Sequence, residues 1–566
     1  MDDCGGHQSH RYSYRPGPPE TMRKILATLA ALLLLAGCAS APAPTPAKPK
    51  LVVFMAIDGF PERQLVDYRD QLGPDGFRRF LDRGTWFSDA HYGYAYTVTA
   101  AGHATMLTGA YPHATGIIGN DWRDPATGEP TYCTGDTTAT YIGNSTKKLD
   151  GTSPKNLKVE TVGDVLRKID PNSKVIAISG KDRGAILPGG HRGVAYMYMT
   201  QTGQFASTTY YMKEHPAWVT AFNDAKPADA YFGREWKPLL PEAAYAKSLP
   251  DNQKWYAKGG ALPKKMGEGS DKPGPLYYGS LLPSPFADDL TLNFARAAIV
   301  GENLGKDDSP DILSISLSGH DYVNHAYSAE SRLSHDHTLQ LDRLLQSFYQ
   351  DLDRMVGKDN YVLILTADHG FMPAPEASLA LGRNAGRMSG SQAIARINAA
   401  LGKQFGEGTW VKYFSASAAE LDKKLIAERK VDLAAITEAA RKQLEAQDGI
   451  AVAYTRAEIT SNSRAGAPFF DQMRKSWNAE RSGDIQYALK PYWMLTSSTN
   501  STTHGSPHLY DTNIPIVFYG PAWIGAGRVD TRVEEADVAP TIARLLGIPP
   551  PVTAEGKPLP LTPPAR

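Results

Sequence analysis

The stretch LVVFMAIDGF, residues 51–60, decides the fold. Its first seven residues are apolar without interruption, which is typical of a strand buried on both faces of a parallel sheet. Apolar runs of the same kind recur along the chain, at SKVIAISG (173–180), PDILSISLSG (310–319), NYVLILTA (360–367) and IPIVFYG (514–520). Helical patterns lie between them, as in LQLDRLLQSFYQDLDRMVG (339–357). This alternation predicts an α/β fold with a doubly wound, mainly parallel sheet and helices on both faces.

Two long intervals, at about 195–285 and 376–500, interrupt this alternation. The first is rich in Tyr, Trp, Pro and Gly and has little periodicity, whereas the second contains helical stretches and a strand pattern. We interpret both as insertions that cap the carboxyl edge of the sheet. The domain that carries them is predicted to span residues 50–566.

The N-terminus has the features of an export signal. Residues 22–38 contain a positive start, a short apolar run and the ending LAGC, and the apolar run is too short to span a membrane. LAGC resembles a bacterial lipobox, which would make Cys38 the lipidated first residue of the mature chain; an ordinary signal peptide is the alternative. Residues 1–21 are predicted to be an upstream extension, with Met22 as the true start, and residues 39–49 a Pro-rich tether. We therefore expect a protein that is periplasmic, anchored in the outer membrane of a Gram-negative bacterium, or secreted.

The composition argues against a charged macromolecular partner. Among 566 residues, 60 Lys and Arg balance 60 Asp and Glu, so no net field attracts nucleic acid or an anionic membrane. If processing removes Cys4 and acylates Cys38, Cys133 is left unpaired, and a core of this size needs no disulfide. We expect a monomer that binds small molecules, binds no nucleic acid, and contacts a membrane only through a lipid on Cys38.

Polar clusters follow the predicted strands at the point where each ends. The first strand is followed by Asp58, and the later ones by KDRG (181–184), GHDYVNH (319–325) and TADHG (366–370). A fifth cluster, TTHGSPH (502–508), precedes the last strand. Ligands of open α/β sheets bind outside the carboxyl ends of the strands, so these clusters are expected to meet at one edge.

Three carboxylates and three imidazoles in these clusters are candidate metal ligands: Asp58, Asp321, Asp368, His325, His369 and His504. A catalytic zinc ion usually takes three protein ligands and keeps an open position, so six ligands suit two zinc ions. Two metals about 4 Å apart can bind both the attacking and the leaving oxygen of a phosphoryl displacement. Spacing alone does not decide whether His320 or His325 pairs with Asp321, and His508 lies beside His504. His335 and His337 stand in a charged helical segment, where we expect them to be solvated.

The ordered set of motifs resembles a known family. MAIDGF (55–60), Thr99 four residues before His103, LTGAYPHATGI (107–117), TADHG and the HGSPH segment together resemble the alkaline phosphatase superfamily, which also contains the nucleotide pyrophosphatases/phosphodiesterases. GN (119–120) and KDRGAILPGGH (181–191) narrow the resemblance to the phosphate-irrepressible (PafA-type) alkaline phosphatases, including sphingomonad enzymes. The resemblance covers residues 50–550.

The resemblance implies a role for each candidate. One zinc ion would be held by Asp58, Asp368 and His369 with Thr99 facing it, and the other by Asp321, His325 and His504. This pairing selects His325 over His320. Thr99 would be the nucleophile, and the phosphoryl oxygens would be contacted by Asn120, Lys181 and Arg183. One local departure is Asn324, which stands where many relatives have glycine.

The chemistry of these residues favours a phosphate monoester as substrate. A threonine hydroxyl needs a metal to lower its pKa, and a phosphoryl group beside Thr99 would meet backbone N–H groups where a helix begins. Two zinc ions are balanced by three aspartates and a threonine alkoxide, so the two charges of a monoester match Lys181 and Arg183. We predict an alkaline phosphatase that forms a phosphothreonine and releases phosphate. The alternatives are a phosphodiesterase or nucleotide pyrophosphatase on the same metals, with the aromatic insertions stacking on a base, and a non-catalytic metal- or phosphate-binding lipoprotein.

Overall fold

The computed structural model describes residues 48–496 and 500–564. The upstream extension, the signal peptide with Cys38, and the tether as far as residue 47 lie outside the described residues, so those assignments stay predictions. Within the described residues, no helix has the length and the apolar character needed to cross a bilayer. Cys133 is buried and forms no disulfide with any described residue.

The strands are short except in the centre of the molecule. In chain order they are β1 (Leu51–Ile57), β2 (Thr85–Phe87), β3 (Ala90–His91), β4 (Asp121–Arg123), β5 (Pro130–Tyr132), β6 (Val175–Ser179), β7 (Val194–Met199), β8 (Gln204–Ala206), β9 (Glu235–Trp236), β10 (Lys264–Lys265), β11 (Asp311–Leu317), β12 (Tyr361–Thr366), β13 (Gly386–Met388), β14 (Val411–Ser415), β15 (Ala418–Leu421), β16 (Ile450–Thr455), β17 (Ile485–Leu489), β18 (Trp493–Leu495), β19 (Ile516–Tyr519), β20 (Gly527–Val529) and β21 (Val533–Glu534).

The α-helices alternate with these strands. In chain order they are α1 (Glu62–Asp67), α2 (Phe77–Arg83), α3 (Thr99–Thr108), α4 (Pro112–Thr115), α5 (Val162–Ile169), α6 (Asp182–Gly189), α7 (Ala217–Asp224), α8 (Pro275–Ser280), α9 (Pro285–Gly301), α10 (Gly319–Tyr327), α11 (Arg332–Met355), α12 (Pro375–Ala380), α13 (Gly390–Phe405), α14 (Lys423–Glu428), α15 (Leu433–Glu445), α16 (Arg456–Ser461), α17 (Phe470–Ser476), α18 (Leu509–Thr512) and α19 (Val538–Leu546).

In the part of the chain that the structure describes, the central sheet has nine strands in the order β20-β2-β19-β12-β1-β11-β6-β7-β8. β1 lies in the middle and is parallel to both β11 and β12, whereas β19 and β8 are antiparallel to their neighbours. Every residue of β1, β11 and β12 is buried. Both faces are therefore covered, as the unbroken apolar run predicts. The predicted doubly wound, mainly parallel α/β fold is confirmed.

The register of the central strands brings their ends together. Ile57 at the end of β1 lies opposite Leu317 at the end of β11, and Ala56 lies opposite Thr366 at the end of β12. The next strand outward, β6, is parallel to β11 and ends at Ser179. The segments that follow these four strands therefore start side by side at one edge of the sheet.

The interval 376–500 contains a separate antiparallel sheet in the order β14-β15-β17-β16. Helices α13 and α15 pack on it around an apolar core of its own, which includes Trp410 and Ile485. The interval of about 195–285, in contrast, begins inside the central sheet, because β7 and β8 extend that sheet. β7 is VAYMYM, where Tyr and Met replace the branched aliphatic residues that identify the other buried strands in the sequence.

Candidate active site

The six candidate metal ligands form two groups. Asp58, Asp368 and His369 make one group, and Asp321, His325 and His504 make the other; within each group the donor atoms lie within 4.8 Å of one another. They come from the ends of β1 and β12, from α10 and from the loop before α18. These are the groupings that the family resemblance implies, and His320 belongs to neither.

The three histidines are oriented by backbone carbonyl groups. Each Nδ1 faces a carbonyl oxygen: His369 faces that of Gly370 at 2.8 Å, His325 that of Thr502 at 2.9 Å and His504 that of Thr97 at 2.9 Å. A carbonyl oxygen can only accept a hydrogen bond, so Nδ1 carries the proton and each Nε2 turns a lone pair toward its group. Burial lowers the pKa of His369, and burial and the neighbouring His369 lower that of His504. This is the orientation that metal-binding histidines require.

Within each group, atoms that bear lone pairs face one another at distances too long for hydrogen bonds. The separations are 3.4 Å for His325 Nε2 to Asp321 Oδ1, 3.7 Å for His504 Nε2 to Asp321 Oδ1, 3.6 Å for His369 Nε2 to Asp58 Oδ1 and 3.5 Å for His369 Nε2 to Asp368 Oδ2. Buried atoms here without a hydrogen-bond partner among the described residues are both oxygens of Asp58, Oδ1 of Asp321, Oδ2 of Asp368 and Nε2 of His369. Ligands about 2.0–2.1 Å from a tetrahedral metal lie about 3.3–3.4 Å apart. The residues present therefore fit a small cation in each group.

Lys181 lies between the two groups. Its Nζ is 2.8 Å from Asp58 Oδ2, in an ion pair that is not a hydrogen bond, and it also contacts Asp321. Burial lowers the pKa of Lys181, but the Asp321 and Asp58 carboxylates more than offset this and raise it above its usual value. Burial, followed by the Asp368 carboxylate, raises the pKa of Asp58 well above its usual value. The site thus holds more negative charge than one ammonium can neutralise, which favours binding of cations.

Thr99 is the first residue of α3 and its side chain is buried. His103, one turn later, places Nδ1 2.9 Å from the Thr99 carbonyl oxygen and 3.3 Å from Asp368 Oδ2, while its Nε2 lies 2.8 Å from Ser316 Oγ. A Cβ atom at Gly102 would collide with the Asp368 carbonyl oxygen. The first turn of α3 therefore lies directly against the Asp58 group, with the hydroxyl-bearing residue at its start.

Of the other predicted phosphoryl contacts, Asn120 is bound to the start of α3, and Arg183 lines a cavity together with Lys181. Asn120 Oδ1 accepts a hydrogen bond from the Ala100 N–H at 2.8 Å, so its Nδ2 is the atom available to a ligand, and that N–H of α3 is already occupied. Arg183 donates from Nη1 to Tyr132 Oη at 3.2 Å, and its buried Nε has no partner among the described residues. The Asn120 amide nitrogen beside α3 and the Arg183 Nε are thus left as donors for a ligand.

Comparison with known families matches residues 52–511 to the type I phosphodiesterase / nucleotide pyrophosphatase family. The chain belongs to this family. Among its members, alkaline phosphatase PafA of Elizabethkingia meningoseptica is 34% identical over 522 residues, with 90% of this chain and 94% of the relative covered. Alkaline phosphatase PhoV of Synechococcus elongatus is 35% identical over 526 residues, covering 91% and 92%. Alkaline phosphatase PhoK of a Sphingomonas species is 32% identical over 525 residues, covering 89% of each.

Two solved structures of one of these relatives, PafA, are similar in fold to this chain. The crystal structure of wild-type alkaline phosphatase PafA has a TM-score of 0.84 at 34% identity and covers 91% of this chain and 99% of that one. A structure of a PafA variant, with one threonine, one asparagine, one lysine and one arginine replaced, has a TM-score of 0.82 at 33% identity, with the same coverage. The predicted resemblance to the phosphate-irrepressible (PafA-type) alkaline phosphatases is confirmed.

The prediction that His335 and His337 are solvated is wrong. Both are fully buried in α11. His335 lies between Ser248 Oγ and Gln71 Oε1, at 2.8 Å from each. Their partners come from distant parts of the chain, so the charged residues around them in the sequence carried no signal of this burial.

Sequence reasoning also missed a buried chain of groups behind the α10 ligands. His320 Nε2 faces Gln64 Oε1 at 2.8 Å, and its Nδ1 is 3.1 Å from His337 Nδ1. His337 Nε2 in turn lies 3.2 Å from Asp288 Oδ2. His320 is therefore a supporting residue and not a metal ligand. His508 also lies apart from the two groups, with Nε2 2.8 Å from the Leu489 carbonyl oxygen.

Proposed function

We propose that the protein is an exported, zinc-dependent alkaline phosphatase that hydrolyses phosphate monoesters through a phosphothreonine at Thr99. The observation that carries this proposal is the pair of three-ligand groups at the sheet edge, with the start of α3 against one of them. Relatives named as alkaline phosphatases cover almost the whole described chain. Small phosphate esters met outside the cytoplasm are the expected substrates, and release of phosphate for scavenging is the expected role.

Zinc suits both ligand groups. Each combines imidazole nitrogen with carboxylate oxygen and supplies three protein ligands, which is the composition of catalytic zinc sites that keep one position open. When bound, two such ions supply the positive charge that lowers the pKa of the Thr99 hydroxyl and stabilises the attacking and leaving oxygens. Asp58, Asp368 and His369 would hold one ion, and Asp321, His325 and His504 the other.

The protein's own residues account for positioning and charge in the two steps. Thr99 Oγ loses its proton and attacks phosphorus, the bond from phosphorus to the ester oxygen breaks, and the alcohol leaves after gaining a proton. Water then attacks the phosphothreonine, the bond between phosphorus and Thr99 Oγ breaks, the proton that the water loses returns to Thr99 Oγ, and phosphate is released. His103 holds the first turn of α3 beside Asp368 throughout. This sequence relies on orientation and charge stabilisation, as phosphoryl transfer generally does.

Three donors are assigned to the phosphoryl oxygens: Asn120 Nδ2, Lys181 Nζ and the Arg183 guanidinium. Arg183 can bind two oxygens, whereas Lys181 acts as a compact charge. The PafA variant supports this assignment, because its replaced threonine and asparagine are 21 residues apart and its lysine and arginine two apart. Thr99 and Asn120, and Lys181 and Arg183, have the same spacings.

The choice between monoesterase and diesterase is tested with two nitrophenyl substrates on one preparation. We expect kcat/KM for the monoester to exceed that for the diester, since two cationic side chains face a site whose ligands otherwise balance the metals. Lys181→Ala should lower kcat/KM for the monoester by about 10- to 100-fold, the range of a lost hydrogen bond to a charged group, and that for the diester by less.

Lys148→Ala serves as the control, because the Lys148 side chain is exposed on the surface. It should change neither value. If Lys181→Ala lowered kcat/KM equally for the monoester and the diester, this would contradict a contact between Lys181 and a dianionic phosphoryl group. A wild-type preference for the diester would favour the phosphodiesterase alternative.

A further inference from the structure

A cavity of about 480 Å³ opens beside His504, between the central domain and the inserted sheet. Aromatic residues of both parts line it. Tyr96 lies just before α3 and Trp122 lies in β4 of the central domain, whereas Phe414 lies in β14 and Tyr487 in β17 of the inserted sheet. Asp121 and Arg123 supply charged groups at its wall. Its volume lies within the range of small-molecule sites in proteins.

The cavity lies on the side where the alcohol would leave, an argument that rests on the proposed function. Thr99 lies against the Asp58 group, because Gly102 and His103 of its helix contact Asp368. In an in-line displacement the leaving oxygen departs on the side opposite the attacking oxygen, which is toward the group that contains His504. A cavity lined by His504 is therefore open to the organic part of the substrate.

Tyr96 lines this cavity close to the ligand groups. Its ring occupies the space above two glycines: a Cβ at Gly119 would lie 3.3 Å from the ring, and one at Gly505 would lie 3.2 Å from it. Those glycines are the neighbours of Asn120 and His504. Burial, with a smaller contribution from the Asp121 carboxylate, raises the pKa of Tyr96 to about 12, so the phenol stays neutral and presents a ring face at alkaline pH.

The hairpin of β14 and β15 in the inserted sheet also lines the cavity. Phe414 precedes the turn between β14 and β15, and its ring centroid lies 5.2 Å from that of Tyr487. The turn residues Ala416 and Ser417 both have positive φ, 44° and 59°, a conformation that is costly for residues with a side chain.

Specific contacts hold the turn in this conformation. Ser417 Oγ donates to the Tyr487 carbonyl oxygen at 2.8 Å, and the Arg123 N–H donates to Ser415 Oγ at 3.2 Å. A Cβ at Gly119 would also lie 3.4 Å from Ala416 Cβ, so the hairpin tip is packed against the segment that carries Asn120. Strained backbone that surrounding contacts maintain is typical of functional sites.

We propose that this cavity binds the leaving group of the substrate and selects phosphate monoesters whose alcohol carries a planar ring, such as nucleoside monophosphates. Tyr96 and Phe414 are partly exposed and offer ring faces for stacking. Tyr487 is buried in the core of the inserted unit and supports the Phe414 ring, and Asp121 and Arg123 offer hydrogen-bonding partners for ring edges. The inserted sheet is thereby a specificity element.

The test compares AMP with ribose 5-phosphate, which have the same leaving oxygen and the same phosphoryl charge and differ in the base. Phe414→Ala should lower kcat/KM for AMP by about tenfold, within the range of one lost stacking contact, and leave that for ribose 5-phosphate within twofold. Phe414→Trp should retain the preference for AMP. Phe405→Ala removes a phenyl group of the same inserted unit that packs near Trp410, and it should leave the ratio unchanged.

Binding without turnover provides a second measurement. Equilibrium dialysis of AMP and ribose 5-phosphate against Thr99→Ala should show tighter binding of AMP, and Thr99→Ala/Phe414→Ala should bind both alike. The proposal is overturned if Phe414→Ala lowers kcat/KM equally for AMP and ribose 5-phosphate. It is also overturned if the dialysis finds no preference for AMP, because the cavity then does not select a ring. If the wild-type protein hydrolyses neither substrate but the AMP preference in binding persists, the proposed function fails and the binding site stands.

Discussion

Thr99 combines a polar side chain, almost complete burial and a position at the start of a helix. It is 1% exposed, and the helix that it begins contacts Asp368 through Gly102 and His103. A structural threonine at this place would serve as a cap, but the residue before α3 is Val98 and the Ala100 N–H is bound by Asn120 instead. The Thr99 hydroxyl is thus not needed for capping, which is consistent with a role as nucleophile.

Replacement of Thr99 separates catalysis from metal binding. Thr99→Ala should lower kcat for a phosphate monoester by at least about 10³-fold, because removal of a nucleophile abolishes the covalent step. Thr99→Ser keeps a hydroxyl and should retain most of the rate. Zinc content, measured by elemental analysis, should stay unchanged in both variants, since the six carboxylate and imidazole ligands remain. A Thr99→Ala variant with the wild-type rate would contradict the assignment.

The predictability of individual residues depended on where their partners lie. Asp58 and Asp368 follow buried parallel strands, and such strands end at the same edge of a sheet, so the two residues were predicted to lie there. The family resemblance resolved the pairing of Asp321 with His325. His335 and His337 could not be assigned in this way, because the groups that face them, such as Gln71 and Asp288, are more than forty residues distant in the sequence. A histidine in a charged segment gives no local sign of whether its helix face is buried.

At the scale of elements, α10 is the helix whose position matters most, since it carries Asp321 and His325. Asp288 in α9 accepts a hydrogen bond from the Gly319 N–H at the first residue of α10, at 3.0 Å. Its other oxygen faces His337 of α11 at 3.2 Å. Both side chains are fully buried. One carboxylate therefore joins three helices at the place where the ligand-bearing helix begins.

Removal of that carboxylate should weaken one metal group more than the other. Asp288→Ala removes the acceptor of the Gly319 N–H and the carboxylate that faces His337 Nε2. We expect a loss of stability of about 3 kcal/mol and a zinc affinity lower by about tenfold or more at the Asp321 group, as for other residues that orient metal ligands. Competition with a chelator, which resolves two binding steps, measures this. Asp289→Ala is the control, because Asp289 accepts from Tyr231 Oη at 2.8 Å instead. Equal weakening of both steps would argue against a local effect on α10.

The elements themselves were predictable to different degrees. β1, β11 and β12 are aliphatic and buried on both faces, so their sequences identified the centre of the sheet. The edge strands β7 and β8 were not identified, because Tyr and Met in β7 and the short run QFA in β8 resemble the insertion that follows. The hairpin of β14 and β15 has Ala416 and Ser417 in its turn, where no glycine or asparagine marks a tight turn.

In the molecule as a whole, the site concentrates buried negative charge at one edge of the central sheet. Asp58, Asp321 and Asp368 bring three carboxylates together at an edge where Lys181 contacts two of them. Lys181 donates to Asp321 and the Gly59 N–H donates to Asp368, but the other four carboxylate oxygens have no hydrogen-bond partner among the described residues. Buried carboxylate charge of this kind destabilises a folded chain unless cations accompany it. We therefore expect the three carboxylates to lower the stability of the metal-free domain, and we expect the binding of metal ions to restore it.

Removal of metal should lower the unfolding temperature of the whole domain. At a free zinc concentration of about 100 times the dissociation constant, each ion stabilises the folded state by about 2.7 kcal/mol, and for a chain of this length two ions correspond to about 5 °C. Calorimetry with and without a chelator measures the shift, and added zinc should reverse it. Asp58→Asn removes a buried carboxylate without a hydrogen bond, so its metal-free form should be at least as stable as metal-free wild type while the stabilisation by zinc falls by about half. Asp67→Asn, at an exposed position, should behave as wild type. An unfolding temperature that does not respond to the chelator would show that the two groups hold no ions in solution, and the catalytic proposal would then lose its basis.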